Sequence, residues 1–212
     1  MPRRASATSF PPLSIGANAL LDRTPPLPQH ADPAARTAQL ASFAAHPDAF
    51  DARLFARLLA AREVRRELPL LGLSREALRE LYARWFPGAP LLPLPVQPEA
   101  DTAFTGNLRA HMQAWRNPAL PAADVACLAT IIAHACLRPD HLWRDLGLAG
   151  RDDVTRALHR YFPGLPERNT GDMRWKKFLA YDLAVTRGET PQPAPGCPGC
   201  EEYARCFPKR LR

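Results

Sequence analysis

Proline placement constrains this chain more than any other feature of its sequence. Twenty-four of the 212 residues are proline, about twice the usual share of roughly 5%. They gather at residues 2–33, 87–98 and 191–198. A proline lacks the backbone N–H and clashes with the preceding turn, so these stretches are punctuation and regular elements must lie between them. The division predicted is a proline-rich, mostly disordered segment over 1–45, a helical domain over 46–188 and a cysteine-rich metal-binding tail over 189–212.

Between the proline clusters every apolar stretch has helical spacing. In DAFDARLFARLLAAREVRREL, Leu54, Phe55, Leu58 and Leu59 recur on one face. GLSREALRELYARWFPG offers Ser74 as N-cap, a stripe of Ala77, Leu78, Leu81, Tyr82 and Trp85, and Pro87 as its stop. Further helices are predicted around GNLRAHMQAW, in PAADVACLATIIAHACL with Val125, Leu128, Ile132 and Cys136 at helical spacing, and in DDVTRALHRYFPG. A longer one is predicted in NTGDMRWKKFLAYDLAVTRG, capped by Asn169 or Thr170 and stopped by Gly188. No segment alternates with period two, so the fold class predicted is all-α. LGLSREALRELYARWFPGAP at 71–90 also aligns with LGLAGRDDVTRALHRYFPGLP at 146–166 after one inserted residue. That repeat implies a bundle of repeated helical hairpins with an irregular cysteine-rich C-terminal tail.

A net charge of +7 favours an acidic partner or a small anion. The arginines are scattered along helix faces, however, and a solvated surface accounts for them more simply than nucleic acid does. No run of about 18 apolar residues occurs, so no membrane partner is expected. The N-terminal MPRRASATSFPPLSIGANALL is interrupted by Pro11, Pro12, Gly16 and Asn18 and lacks the apolar stretch of a secretory signal. A cytoplasmic protein with reduced thiols is expected. Without paired carboxylates, a phosphate loop or a nucleophile–base motif, an enzyme is not.

The chemistry lies in GCPGCEEYARCF. Cys197-Pro198-Gly199-Cys200 is a tight turn that brings two sulfurs within reach of one metal, and a short helical turn carries Cys206 back to the same point. Arg205, Lys209, Arg210 and Arg212 stand nearby to favour thiolates. Soft sulfur donors select zinc, copper(I) or iron–sulfur clusters. A redox dithiol would want a βαβ context. Spacing alone leaves zinc and iron–sulfur open. On the zinc branch the chain would be a zinc-stabilised helical protein that binds nucleic acid or a protein partner through a basic surface.

The strings ACLRPDHLWRDLGL, RDDVTRALHRYFPGLPERNTGDMRWKKFLAYDL and CPGCEEYARCF, in that order, resemble the NifQ family of nitrogen-fixation proteins, over about residues 45–208. The resemblance implies an iron–sulfur cluster containing molybdenum, with Cys197, Cys200 and Cys206 as metal ligands and molybdate as the metal source. The partners it implies are nitrogenase cofactor-assembly proteins, which would receive molybdenum for the iron–molybdenum cofactor. The family pattern is C-x4-C-x2-C-x5-C, and its first cysteine is Gln192 here. Three thiolates could hold three irons of a four-metal cuboid and leave the molybdenum corner open. Alternatively Cys136 or His141 substitutes, or this copy is impaired. Cys127 and His134 sit mid-helix and read as core residues. In MRWKKF, Arg174, Lys176 and Lys177 beside Trp175 and Phe178 either meet a molybdate dianion or an acidic partner, or form the solvent face of a helix whose aromatics enter the core.

Overall fold

Two helices of 14 residues, α2 (Phe50–Glu63) and α5 (Ala122–Ala135), form the centre of the molecule. The computed structural model describes residues 32–90 and 98–208. The expectations for 1–31, for 91–97 and for Lys209, Arg210 and Arg212 lie outside these residues. Among the described residues there are ten α-helices, two short 3₁₀ turns and no strand, so the chain is all-α as its periodicity predicted.

The sequence repeat is a structural one. After α2 come a 3₁₀ turn (Leu68–Leu71) and α3 (Arg75–Trp85); after α5 come the short α6 (Leu142–Asp145) and α7 (Arg151–Tyr161). Ser74 caps α3, its hydroxyl accepting from the Ala77 N–H at 3.1 Å. Phe86 and Phe162 end the paired helices in the same non-helical conformation, and both are buried. The two halves are anchored crosswise. Asp51 in the first turn of α2 pairs with Arg160 of α7 and accepts from the Tyr161 hydroxyl at 2.9 Å. Asp124 in the first turn of α5 accepts from Arg84 Nε of α3 at 2.9 Å. The carboxylates also suit the positive ends of these helices.

The Leu-Gly-Leu strings cross over in the same way. Gly72 has φ +69° and lies against the His134 ring of α5, which an added Cβ would approach to 2.1 Å. Gly147 has φ +67° and lies against Ala61 of α2, where a Cβ would come to 2.2 Å. Only glycine satisfies both the left-handed backbone and the close approach.

One predicted boundary is corrected at the N-terminal side. Within the segment expected to be disordered, α1 (Pro33–Ala41) is a regular helix packed on α2. Asp32 caps it, accepting from the Ala34 and Ala35 N–H groups at 3.0 and 3.3 Å, and Pro33 occupies its first turn. Periodicity missed this helix because its buried face rests on Leu40 and a charged residue, Arg36. Arg36 is buried because Glu63 of α2 takes its guanidinium at 2.6 and 3.1 Å, while the Tyr82 hydroxyl of α3 donates to the same carboxylate. Burial, then the Glu63 charge, pushes the Tyr82 phenol up.

A second boundary is corrected at α9, which is Trp175–Thr186. Asn169 does not cap it. The Asn169 side chain instead grips Met173, accepting from its N–H and donating to its carbonyl, both at 2.9 Å. This closes a loop in which Asp172 has φ 47°. The helix is fixed on its far side by Asp182, which meets His111 of α4 (Ala103–Ala114) at 2.8 Å and Arg168 of α8 (Gly164–Arg168) at 2.7 Å. Gly188, at φ 70°, follows its end as predicted.

Replacing Arg36 by Ala would leave Glu63 buried without its cation. Such truncations cost about 3–5 kcal/mol. Urea unfolding of Arg36→Ala should show a loss of that order. The double change Arg36→Met with Glu63→Leu should recover most of it.

Candidate metal centre

The site begins where α5 stops. Pro139 cannot continue the helix, so the chain leaves at Cys136 and runs through Leu137–Asp140 to His141, the N-cap residue of α6. The C-terminal tail folds back onto this exit. The Gly196 N–H donates to the Cys136 carbonyl at 3.0 Å, and Ala194 is fully buried. Contact at this point admits no side chain. A Cβ on Gly196 would stand 1.9 Å from the Arg138 carbonyl oxygen, and one on Gly199 would stand 2.6 Å from Pro139 Cβ.

Beyond that contact Cys197–Gly199 makes a 3₁₀ turn, with the Cys200 N–H donating to the Cys197 carbonyl at 3.0 Å. Residues Tyr203–Cys206 form α10, one helical turn. Lys177 of α9 holds this end of the tail by donating to the Cys206 carbonyl at 2.6 Å, and its ammonium lies 5.1 Å from the centre of the Phe207 ring. Arg144 reaches Glu201 at 2.9 Å, and Arg174 pairs with Glu202.

These contacts enclose a cavity of about 70 Å³ that Cys197, Cys200 and Cys206 all line. The tail thus brings the three predicted cysteines to one space. His141, Arg174, Lys176 and Lys177 line it too, and the aromatic wall is Trp143, Trp175, Tyr203 and Phe207. Sequence reasoning passed over Trp143, Tyr203, Glu201 and Glu202. The glutamates directly after Cys200 were the available signal.

Cys197 is buried and Cys200 and Cys206 are half-buried. Burial raises the Cys197 thiol, an effect opposed by a hydrogen bond at the Ala194 backbone and by the nearby Lys176 ammonium. Among the described residues, the cation felt by Cys197 is Lys176 of α9. Arg205, the described member of the basic tail, is exposed and lies 3.6 Å from Glu202. Lys176 is no part of a solvent face: it is 6% exposed, donating to the Arg138 carbonyl at 2.8 Å and pairing with Asp145. Trp175 and Phe178 do enter the core.

The two substitute ligands separate clearly. Cys136 has no exposure and does not line the cavity, and burial pushes its thiol up to about 12. It behaves as a small apolar core residue. Gln192 is exposed and away from the cavity as well. His141 is on the wall. Cys127 is buried, its thiol pushed up to about 11 mainly by burial. His134 is fully buried, bridging Glu99 at 3.3 Å and Asp101 at 3.0 Å. Both are structural.

Among the described residues, Asp140, His141 and Glu201 form the set whose ligand atoms all lie within 4.8 Å of one another. Arg144 already spans the two carboxylates, at 3.2 Å from Asp140 and 2.9 Å from Glu201. The three sulfurs are not gathered that tightly, whereas a tetrahedral zinc holds its sulfurs about 3.8 Å apart. Soft sulfur donors of this kind select zinc, copper(I) or iron–sulfur clusters.

No solved structure matches the chain. A NifQ protein homologue from Sinorhizobium fredii is 36% identical over 143 residues, which is 64% of this chain and 60% of the relative. The NifQ protein of Azotobacter vinelandii is 45% identical over 80 residues, covering 38% of this chain and 41% of its own length. The match to NifQ of Rhodobacter capsulatus is 31% identical over 137 residues, 65% of this chain and 75% of the relative. The chain thus spans less than two thirds of the first two relatives. The family model described as NifQ matches residues 52–208, a span that takes in α5, nearly all of α2, the α5 exit and all three cavity cysteines. The chain belongs to the NifQ family.

Proposed function

We propose that the chain serves nitrogen fixation as a carrier of molybdenum within an iron–sulfur cluster, supplying the metal to the proteins that assemble the nitrogenase cofactor. The observation that supports this reading best is the convergence of Cys197, Cys200 and Cys206 on one cavity. Three soft donors from a single short segment can grip a cluster while leaving one of its corners free of thiolate. When bound, the cluster supplies the sulfide framework in which molybdenum is held. Molybdate is the source of the metal and cargo is the product; no substrate is turned over.

The chain's own residues prepare the cavity for that task. Lys176 sets a buried positive charge beside Cys197, which offsets part of the cost of making a thiolate there. Asp145 and the Arg138 carbonyl hold the ammonium in place. Burial raises the Asp145 carboxyl and Lys176 pulls it back. Trp143, Trp175, Tyr203 and Phe207 give the cavity an aromatic wall. No helix among the described residues is long and apolar enough to cross a membrane.

Anaerobically purified or reconstituted protein should be brown and contain iron and molybdenum. A colourless protein holding zinc alone would overturn the carrier reading. Each of Cys197→Ser, Cys200→Ser and Cys206→Ser should lose most of its iron, because a hydroxyl is a poor substitute for a soft thiolate, while Cys136→Ala should keep it. Gly196→Ala should act at the docking point. Overpacking of this kind costs about 1–3 kcal/mol. The tail should then be cut faster by protease and hold less iron, although every cysteine is intact.

A further inference from the structure

We infer that His141 is the fourth protein ligand of the cluster, binding through Nδ1, with Glu202 as the carboxylate that orients it. This rests on the carrier reading and names the donor that the three-cysteine tail lacks.

The two ring nitrogens face opposite chemistry. Nε2 lies 3.5 Å from Glu202 Oε2 and 3.8 Å from Glu201 Oε1, so it faces groups that only accept. Nδ1 lies 3.4 Å from Arg174 Nη1, a group that only donates. These contacts suit a tautomer with the proton on Nε2, toward the carboxylates, and the lone pair on Nδ1, toward the Arg174 guanidinium. Metal-binding histidines show this same division, with the free nitrogen on the metal and the other N–H given to a carboxylate. The guanidinium of Arg174 stands where a metal's charge would be felt.

The ring is also held. Its side chain is 14% exposed and stacks on Trp143, with centroids 6.3 Å apart and planes 11° apart. The Glu202 Oε2 atom is buried and makes no well-aligned hydrogen bond, although Arg174 pairs with it ionically. Of the other donors, Cys136 is sealed in the core and Gln192 is exposed, while Asp140 and Glu201 are carboxylates engaged with Arg144, at 3.2 and 2.9 Å. A neutral imidazole adds no negative charge to a site that already has three thiolates. It binds its corner without the anionic grip of a fourth sulfur, which suits a metal that must leave.

The test uses the full chain labelled with ¹⁵N-histidine, reconstituted anaerobically with ferrous iron, sulfide and molybdate, and read by pulsed electron paramagnetic resonance. The wild-type cluster should show one directly coupled histidine nitrogen, and His141→Ala should lose it. If His141→Ala loses its helical circular dichroism, His141→Cys takes its place, with iron retained and no nitrogen coupling. Glu202→Gln should keep the coupling while weakening metal retention by roughly 10–100-fold, the usual effect of losing an orienting carboxylate. A wild-type cluster without a coupled nitrogen overturns the His141 assignment alone. So does a coupling that persists in His141→Ala or His141→Cys. A wild-type chain that takes up no iron overturns this inference together with the carrier reading.

Discussion

The crossed anchoring of the two long helices is the constraint on which the rest of the structure depends. Asp51 of the first half is held by Arg160 of the second, and Asp124 of the second by Arg84 of the first. Each Leu-Gly-Leu string packs against the long helix of the opposite half. Neither half can complete its own helix packing without the other. A cooperative, all-or-none unit is the physical consequence, because losing one crossing exposes the partner's crossing as well. The position of the α5 exit, and with it the cavity, is fixed by this interlock.

The duplicated halves are nevertheless used unequally. The cysteine-lined cavity lies at the end of α5, where Pro139 forces an early exit and the Cys136 carbonyl accepts the tail. At the matching end of α2, Arg62 turns to the Asp145 carbonyl at 2.7 Å and so braces the second half from behind. One copy became the support and the other the site. Lys176 joins the two roles, since its ammonium touches both the Arg138 carbonyl at the exit and the Asp145 carboxylate.

Much of this was legible in the sequence because local rules and tertiary packing agree there. Ser74, Phe86 before Pro87, and Gly188 act where their chemistry says they should, and the apolar stripes of α2, α3, α5 and α7 are buried. The cysteine segment stood out because soft ligands so close together have few other uses. The failures have a common cause. α1 depends on a buried Arg36 whose partner lies in another helix, and the start of α9 depends on an Asn169 side chain that closes a loop rather than capping a helix. Which candidate donor faces the cavity depends on which way the α5 exit turns, and no local pattern encodes that turn. Cys136 and His141 looked alike in one dimension and differ only once Gly196 of the tail is seated against Arg138.

The tail's return is short. Gly188 ends α9, residues 189–192 are exposed, and by Ala194 the chain is already buried against the α5 exit. Closing so short a loop costs little chain entropy. It is held by a glycine N–H on the Cys136 carbonyl, a lysine on a carbonyl, ion pairs from Arg144 and Arg174, and the core packing of Ala194 and Cys197. The outer wall of the cavity is therefore a separate stretch of chain laid over the α5 exit, with Ala194 and Cys197 packed into the core. Three cysteines arrive with that stretch and His141 with the bundle, so the lining of the cavity is joined along a seam the fold already contains.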